Sequence, residues 1–472
     1  MRVRPSVTPC KKIEGVVPMA RGATAPWPAG PSERRSLVTM DGGIRIADAA
    51  VHRPDRHAYF HQHENGLPAI PRGAGFSFAA ASFGGGAESI EMTAFDRVID
   101  FDTRTGRVEV EAGITLGALF EFLTPRGRYL AVQPGHHRIT VGGCIAANVH
   151  GKNPARDGTF VAQVETVRLF HPRHGCVDLS RHEEPALFHA TCGGLGLTGI
   201  IVAARLRTLP LPGTSFRIAH RQVAAITEGA DLMAGDSARS DLAYGWFDCS
   251  RRGRTHGHGV VVTGQFLSTD EKGPAFKLPP SRFSPKRRAR LPIALLNPIS
   301  IRLVNTAYSW SLLRSRDTVV TLAEALYPTR ANELYLSLFG RRGLHEYQAL
   351  VPRANLAEFV AQLRDDATRA SACITLAVAK PFNGTPDLIR FDGSGISLAI
   401  EMPRSAAANR LLPEIDRLLV RLGGRPNILK DSRLPRSVFE ATYPDCDRLR
   451  AVLRRWDPQR LFRSELSERL GL

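Results

Sequence analysis

The sequence predicts an α+β protein in which an N-terminal domain of short strands is followed by a second α+β domain with an antiparallel sheet. Short β-branched runs alternate with glycine-rich turns up to residue 212. Beyond that point, strands mix with two plausible helices near 355–369 and 405–422. The length of 472 residues also exceeds that of one ordinary domain. These three observations place a domain boundary near residue 212.

Composition divides the chain into four parts. Residues 1–38 are rich in Pro, Gly and Arg, and we expect them to form a disordered extension. Residues 39–212 and 213–425 are the two predicted domains, and 426–472 is a basic, helical C-terminal segment. Within the second domain, the stretch near 272–305 is Pro-rich, then basic, then apolar. This stretch predicts a mobile basic loop.

Local patterns define single elements inside the first domain. Val108 and Val110 alternate with glutamates after a turn at Thr105–Gly106, which predicts a hairpin. Thr115 precedes the apolar run LGALFEFL, so its hydroxyl is expected to cap a helix. The turn at His174–Gly175 predicts a second hairpin.

Charge and cysteine usage limit the classes of function. The formal charge of +18 and the pI of about 10.2 favour polyanionic partners, namely nucleic acid, anionic lipid or a phosphorylated substrate. A generally arginine-rich proteome explains the same charge. No zinc-finger spacing or RNA-binding motif is legible, so we expect no nucleic acid and no metal. Seven cysteines without CxxC spacing fit a reducing compartment. The sequence has no run of about 18 apolar residues, so we predict no membrane span.

Three glycine clusters carry the chemical signal. They lie at Arg72–Phe78, at Thr140–Asn153 and at Cys192–Ile201. Two glycines spaced as in the first cluster let consecutive N–H groups point into one concavity, which holds a pyrophosphate. Such a pair alone is more often an ordinary turn. Three clusters within about 130 residues are better explained by one long, flat ligand held between two small sheets.

The order PRGxGxS, PGxxxxTVGGxIAxxxHGKN and GGxGLTGII resembles the FAD-binding domain of the vanillyl-alcohol-oxidase/PCMH flavoprotein superfamily. Within it, TVGGCIAANVHGKN and the C-terminal KDSRLP are most similar to the decaprenylphosphoryl-β-D-ribose oxidase family. The matching patches cover well over half of the chain. The resemblance implies a PCMH-type FAD-binding domain of two subdomains, a substrate (cap) domain, and a C-terminal segment that returns to the flavin.

The resemblance also implies roles for individual residues. The cofactor would be held by Arg72, Gly73, Ala74, Gly75, Phe76, Ser77, Gly135, Thr140, Val141, Gly142, Gly143, Ala147, Asn148, Val149, His150, Ile201 and Asn427. Catalytic roles fall to Lys430, His150, Gln348 and Lys380, and substrate binding falls to Tyr335, Phe382 and Ser397. His150 is expected to have a polar role at the flavin, and the identity of the general base stays open. Phe76 cannot form a histidyl bond to the flavin, so we expect non-covalent FAD.

Some positions depart from the family pattern. Phe78 replaces a family tyrosine, the residues after HGKN read Pro154–Ala155–Arg156, and an Asn-Ile-Cys reads Ser397–Leu398–Ala399. Each of the last two departures falls in or beside the implied substrate pocket. The flavin site is therefore expected to be kept and the substrate pocket to be remodelled.

The sequence favours oxidation of a sugar hydroxyl to a ketone by hydride transfer to flavin N5, on a polyprenyl-phosphate-linked pentose. This would be the first half of an epimerisation, completed by a separate NAD(P)H-dependent reductase, with quinone or oxygen as electron acceptor. The chain would be cytoplasmic, or peripheral at an anionic inner membrane surface. One alternative is a soluble sugar or aldonolactone oxidase, although the His-Trp of the latter is absent. Another is a flavin-free basic protein that binds membranes or nucleic acid.

Overall fold

The structure, a computed structural model, describes residues 32–55, 57–62, 68–251, 253–267, 293–315, 317–328 and 334–472. Its first strands are β1 (Ser32–Val38), β2 (Arg45–His52), β3 (Ala69–Arg72) and β4 (Glu88–Glu91). They form one sheet in the order β1-β2-β4-β3, in which β4 pairs in parallel with both β2 and β3.

A second, antiparallel sheet follows in the first half of the chain. The strands here are β5 (Val98–Asp102), β6 (Arg107–Glu111), β7 (Arg128–Tyr129), β8 (Val164–His171), β9 (Gly175–Ser180), β10 (Ile200–Arg207) and β11 (Leu209–Pro210). Five of them form the sheet β5-β6-β10-β8-β9, and β7 pairs with β11 alone. The division of this half into two subdomains stays a prediction.

The second half of the chain builds an eight-stranded antiparallel sheet. Its strands are β12 (Ser215–Val223), β13 (Leu242–Asp248), β14 (His258–Phe266), β15 (Asp317–Thr321), β16 (Leu344–Val351), β17 (Leu376–Asn383), β18 (Ser394–Pro403) and β19 (Arg425–Pro426). Their order is β15-β12-β14-β13-β17-β18-β16-β19. The predicted combination of helices with antiparallel sheets is therefore confirmed.

Helices lie between these strands and after the last of them. They are α1 (Leu116–Leu123), α2 (Val141–Ala147), α3 (Pro154–Asp157), α4 (Pro185–Thr191), α5 (Ile226–Asp236), α6 (Ser300–Arg314), α7 (Leu322–Leu326), α8 (Leu356–Ala370), α9 (Ala406–Arg421), α10 (Arg436–Thr442), α11 (Cys446–Trp456) and α12 (Glu465–Leu470). The Thr115 hydroxyl accepts a hydrogen bond from the Ala118 N–H and caps α1, as predicted. Helices α8 and α9 confirm the two helices predicted in the second domain.

One face of the eight-stranded sheet is buried against α5, α8 and α9. Phe359 of α8 and Ile415 of α9 pack there with Phe247, Tyr347 and Ile400 of the strands. Burying such side chains provides the main stabilisation, at about 1.5–3 kcal/mol for each large apolar side chain. Because side chains alternate along a strand, the opposite face of the same strands is left for the polar residues of the site.

The C-terminal helices do not pack on the large sheet alone. Phe439 of α10 and Leu466 of α12 are fully buried in one cluster with Ile70 and Leu195 from the first half of the chain. A further bridge joins Ala69 to Phe462. These contacts hold the C-terminal segment against the strand that leads into the first glycine cluster.

The predictions for two irregular regions are partly wrong. Residues 32–38 form β1 rather than disordered chain, because Pro and Gly end at Pro31 and Leu37 is buried beside Val51. Residues 1–31 lie outside the described residues. The end of the predicted loop near 272–305 is instead the start of helix α6, which Asn305 holds in place by donating hydrogen bonds to the Asp248 carboxylate and the Thr375 carbonyl. Residues 272–292 of that loop also lie outside the described part.

Candidate active site

The first glycine cluster follows β3 directly and lies against the start of α2. A Cβ atom on Gly73 would stand 2.3 Å from the Thr140 Oγ1, so only glycine allows this approach. Gly75 has φ +74°, a left-handed conformation that favours glycine. Arg72 is buried and donates a hydrogen bond to Ser82 at 2.8 Å. The loop Arg72–Ser77 therefore presents mainly backbone groups and small side chains, as a pyrophosphate site requires.

Helix α2 presents two different faces. The Thr140 hydroxyl accepts from the Gly143 N–H and caps the helix. Val141, Cys144 and Ile145 are buried in a core that both halves of the chain build, and Ile201 lies in the same core. The other face carries only small, half-buried residues, namely Gly142, Gly143, Ala146 and Ala147. Such a face lets a flat ring lie close to the backbone.

Asn148 ends α2 with an amide donor left over. Its φ of +42° is left-handed, and its Oδ1 accepts a hydrogen bond from the Val161 N–H at 3.1 Å. Its Nδ2 is buried and has no hydrogen-bond partner among the described residues. A flavin carbonyl oxygen is the kind of acceptor that this donor lacks. Together with the glycine loop and the small-residue face, this orphaned donor shows that the residues present fit FAD.

The third glycine cluster is explained by contacts within the protein. The N–H groups of Gly193 and Leu195 donate to the carbonyls of Ile145 and Ala146 at the end of α2. A Cβ atom on Gly196 would stand 2.7 Å from the Pro71 ring. These glycines permit close packing of backbone around α2 and β3. They support the ligand site from behind, whereas the sequence interpretation placed all three clusters around the ligand.

Strands β16, β17 and β18 place the polar residues on the face of the sheet opposite α8 and α9. In the cross-strand register, Glu346 stands opposite Glu401, and Lys380 stands opposite Ser397. Gln348 lies two residues beyond Glu346 on the same strand and therefore on the same face. This register brings together residues that are far apart in the sequence.

Gln348 links the predicted residues into one chain of hydrogen bonds. Its Oε1 accepts from the Asn427 Nδ2 at 2.8 Å, and its Nε2 donates to Ser397 Oγ at 2.8 Å and to His150 Nε2 at 3.1 Å. Asn427 reaches this place because β19 pairs with β16. Burial first, and then the positive charge of Lys380, holds the pKa of His150 well below its usual range. His150 is therefore a neutral acceptor in this chain.

Three lysines surround His150. Lys380 donates a hydrogen bond to the Gly151 carbonyl at 2.9 Å, and its pKa is lowered well below the usual value by burial and then by Lys152 and Lys430. Burial lowers the pKa of Lys152 to about 8. Lys152 lies near Gly135, where an added Cβ would stand 3.5 Å from its Nζ. Within the described residues, neither Lys152 nor Lys380 forms an ion pair.

Lys430 is held by a carboxylate and an aromatic ring. Its Nζ lies 2.7 Å from Glu346 Oε1 and 4.1 Å from the centre of the Phe78 ring. Arg433 anchors the same segment by donating two hydrogen bonds, of 2.7 and 3.0 Å, to the buried Asp416 of α9. The C-terminal segment thus delivers an oriented ammonium group to the site.

The predicted substrate residues lie at opposite ends of this face. Phe382 is buried and packs edge-on against His150, with ring centres 5.2 Å apart. Tyr335 forms a hydrogen bond with Thr375 at 2.8 Å and interacts with Glu401. The structure therefore brings Lys430, His150, Gln348, Lys380, Ser397 and Phe382 to one site, with Tyr335 at its edge.

Sequence reasoning missed four contributors to this site. Lys152 lies inside the HGKN motif and was assigned no role, although the neighbouring His150 of the same motif was assigned one. Glu346 and Glu401 alternate with apolar residues in β16 and β18, a pattern that by itself indicates only a polar face. Asp416 lies on the inner face of α9, and a buried aspartate on an amphipathic helix signals a partner such as Arg433.

Comparisons with known proteins indicate an FAD-binding protein. The sequence profile of the FAD binding domain family matches residues 59–180. The chain is 29% identical to decaprenylphosphoryl-beta-D-ribose oxidase of Mycolicibacterium smegmatis, over 87% of this chain and 90% of that protein. It is 30% identical to an uncharacterized protein in the mprA 5′ region of Streptomyces coelicolor, over 76% of this chain and all of that protein. A mitochondrial L-galactono-1,4-lactone dehydrogenase 2 of Oryza sativa is 31% identical over 26% of this chain and 21% of its own length.

Proposed function

The chain belongs to the vanillyl-alcohol-oxidase/PCMH superfamily and is an FAD-dependent oxidoreductase, and from this we propose that it oxidises a hydroxyl of a polyprenyl-phosphate-linked pentose to a ketone. The hydrogen would pass as hydride to flavin N5 of non-covalently bound FAD. A separate NAD(P)H-dependent reductase would then complete an epimerisation, and quinone or oxygen would reoxidise the flavin. The oxidase of Mycolicibacterium smegmatis, whose name specifies decaprenylphosphoryl-ribose, supports this substrate class.

The location of the lysines is the observation that best supports this proposal. Only eight of the 63 lysines and arginines are lysine. The three that fall among the described residues, Lys152, Lys380 and Lys430, all lie in this site. Glu346 pairs with one of them, which leaves the basic side chains of Lys152 and Lys380 without an ion-pair partner among the described residues. Such an excess favours an anionic ligand, and the phosphodiester of the proposed substrate supplies that charge.

The residues of the chain would bind FAD, orient the substrate and stabilise the charge that develops on the cofactor. FAD, when bound, supplies an acceptor for the substrate's hydrogen and its electron pair. The loop Arg72–Ser77 would hold the pyrophosphate, and Asn148 would donate to a ring carbonyl. Lys430 would stabilise the negative charge that arrives with the electron pair. Gln348 and Ser397 would orient the sugar, with Phe382 as an apolar wall.

The outer face of α6 supports a lipid-linked substrate. Ile299, Leu303 and Trp310 lie on one stripe of this segment and are 74%, 69% and 61% exposed. Tyr308 of the same helix packs edge-on against Trp246, with ring centres 5.1 Å apart. Trp246 stands on the site face of the large sheet, opposite Val378 in register. An exposed apolar stripe that borders the site offers a place for a prenyl chain at a membrane surface.

We expect Lys152 to favour substrates that carry a phosphate over those that do not. A pentose phosphodiester of a short prenyl alcohol should bleach the flavin of the wild-type protein anaerobically, whereas free pentoses and aldonolactones should not. Lys152→Met should weaken binding of the phosphodiester about 10- to 100-fold, since a hydrogen bond to a charged group contributes about 1.5–3 kcal/mol. Lys152→Arg is the matched control and should retain most of the affinity. Reduction by free sugars or lactones alone would favour the soluble-oxidase alternative.

Membrane binding should depend on the α6 stripe. The double variant Leu303→Ser/Trp310→Ser should lower co-sedimentation with anionic vesicles by about 10-fold or more, because each side chain contributes about 1.5–3 kcal/mol when buried in lipid. Val420→Ser removes an exposed apolar side chain of α9 and serves as the control. Equal sedimentation of all three proteins would exclude the stripe as the lipid contact. Within the described residues, no helix is both long and apolar enough to cross a membrane.

A further inference from the structure

Oxidising a hydroxyl releases a proton as well as a hydride, so the site needs a proton acceptor. His150 is not available for this task. Its Nε2 accepts from Gln348, and its Nδ1 lies 3.2 Å from the Gly151 carbonyl, to which it can donate. Lys380 also donates to the Gly151 carbonyl. Both groups thus hold the loop between α2 and α3, to which Gly151 belongs.

A pair of carboxyl groups lies at the other end of the site face. Glu346 and Glu401 stand directly opposite each other on β16 and β18, which places both side chains on the same face. Glu346 is the partner of Lys430. The Oε2 of Glu401 is buried and has no hydrogen-bond partner among the described residues. Glu401 is therefore the carboxyl group with an acceptor atom left for a ligand.

We propose that Glu401 is the general base that accepts the proton of the substrate hydroxyl, with Glu346 and Lys430 as its charged neighbours. The assignment rests on the proposed oxidation of a hydroxyl by FAD. In that step the O–H bond breaks and its proton goes to the Glu401 carboxylate. The C–H hydrogen leaves with its electron pair for FAD, which is reduced, and the C–O bond becomes C=O. No further reactant is needed.

The electrostatics of the pair fit this role. Burial first, and then repulsion by Glu346, raises the pKa of Glu401 to about 8, while Lys430 and the hydrogen bond from Tyr335 act in the opposite direction. A carboxylate with a raised pKa takes a proton from an alcohol at a lower cost than an ordinary one. The groups that set the basicity come from three elements: β16, the C-terminal segment and the segment around Tyr335.

The test compares flavin reduction by the prenyl-phosphodiester pentose in the wild type, Glu401→Gln and Glu346→Gln, over a pH range that brackets 8. The wild-type rate should rise with pH through about 8. Glu401→Gln should be slower by about 100-fold or more and lose this rise, since general-base catalysis contributes about 10²- to 10⁴-fold. Glu346→Gln should keep the rise but move its midpoint to lower pH, because the repelling charge is gone.

Two measurements on the FAD-loaded protein need no turnover. The infrared band of a protonated carboxyl group should titrate near pH 8 in the wild type and be missing in Glu401→Gln. The folded pKa lies above the usual 4.5, so ionisation of the unfolded state should lower wild-type stability relative to Glu401→Gln as pH rises from 4.5 to about 8. A merely structural glutamate would not produce the shifted kinetic midpoint of Glu346→Gln.

Each outcome decides a different point. If the phosphodiester fails to reduce the flavin of the wild-type protein, the proposed substrate class is overturned, and the base assignment with it. A reducible wild type together with a Glu401→Gln variant of unchanged rate and pH profile overturns the base assignment alone. If Glu401→Gln does not retain FAD, two other variants test the proposal. Glu401→Asp keeps a carboxyl group at this position, and Glu346→Gln keeps Glu401 itself. A kinetic midpoint that stays at the wild-type pH in both variants overturns the proposal.

Discussion

Lys430→Ala is expected to slow flavin reduction by substrate about 100- to 1000-fold while FAD stays bound. In the proposed reaction, the arriving hydride would place negative charge on the pyrimidine edge of the flavin. A fixed ammonium stabilises this anion more than the neutral oxidised ring, so it favours the transition state over the ground state. The contacts of Lys430 with Glu346 and the Phe78 ring fix its position before the reaction. Anaerobic stopped-flow at the flavin absorbance measures the effect.

The ion pair adds a cost that the sequence did not reveal. The family resemblance assigns Lys430 a catalytic role and does not reveal its contribution to stability. Removing it leaves Glu346, whose side chain is only 7% exposed, without its cation and opposite Glu401. Breaking a buried pair from one side costs about 3–5 kcal/mol, and the partial exposure of Lys430 reduces this figure. Lys430→Ala should therefore also lower the melting temperature.

A double variant separates the two effects. Lys430→Ala/Glu346→Gln removes the stranded charge, so it should regain much of the lost stability and still reduce slowly. Lys430→Arg should rescue the rate only in part, because a planar guanidinium differs from an ammonium in shape and hydration. Near wild-type reduction by the double variant would show that Lys430 is structural. Loss of FAD from every Lys430 variant would make the lysine a cofactor ligand first.

Gly75→Trp is expected to yield protein without FAD. The residue has φ +74°, and a Cβ atom there would stand 2.2 Å from the Arg72 guanidinium, so a large side chain both strains the loop and fills it. The expected change is a fall of the flavin-to-protein absorbance ratio from stoichiometric to near zero. If FAD is held without a covalent bond, as we propose, wild-type protein should release its flavin on acid precipitation.

Gly175→Trp provides the matched control. Gly175 has φ +67°, but an added Cβ would meet nothing within 4 Å. The substitution thus carries the same backbone strain in a hairpin remote from the loop, and it should leave FAD content unchanged. Stoichiometric FAD in Gly75→Trp would overturn the assignment of Arg72–Ser77 to the pyrophosphate. Loss of FAD from both variants would point to general destabilisation.

The sequence by itself determined the elements that depend on neighbours along the chain. The cap at Thr115, the turns at Gly106 and Gly175, and the two helices of the second domain follow from local spacing, because capping, turn geometry and amphipathic periodicity act within a few residues. The ordered motifs that carry the family resemblance are equally local. They identified FAD as the cofactor.

Only the tertiary structure decided which residues meet. Glu346 faces Glu401, 55 residues further along the chain, because of the register of β16 and β18, and Lys430 reaches Glu346 from the C-terminal segment. A shift of that register by one residue would place a shifted strand's glutamate on the opposite face of the sheet. The third glycine cluster likewise serves the packing of α2 and β3, and Asn305 holds α6 against the large sheet through hydrogen bonds to Asp248 and Thr375. Such contacts are long-range, and no local pattern encodes them.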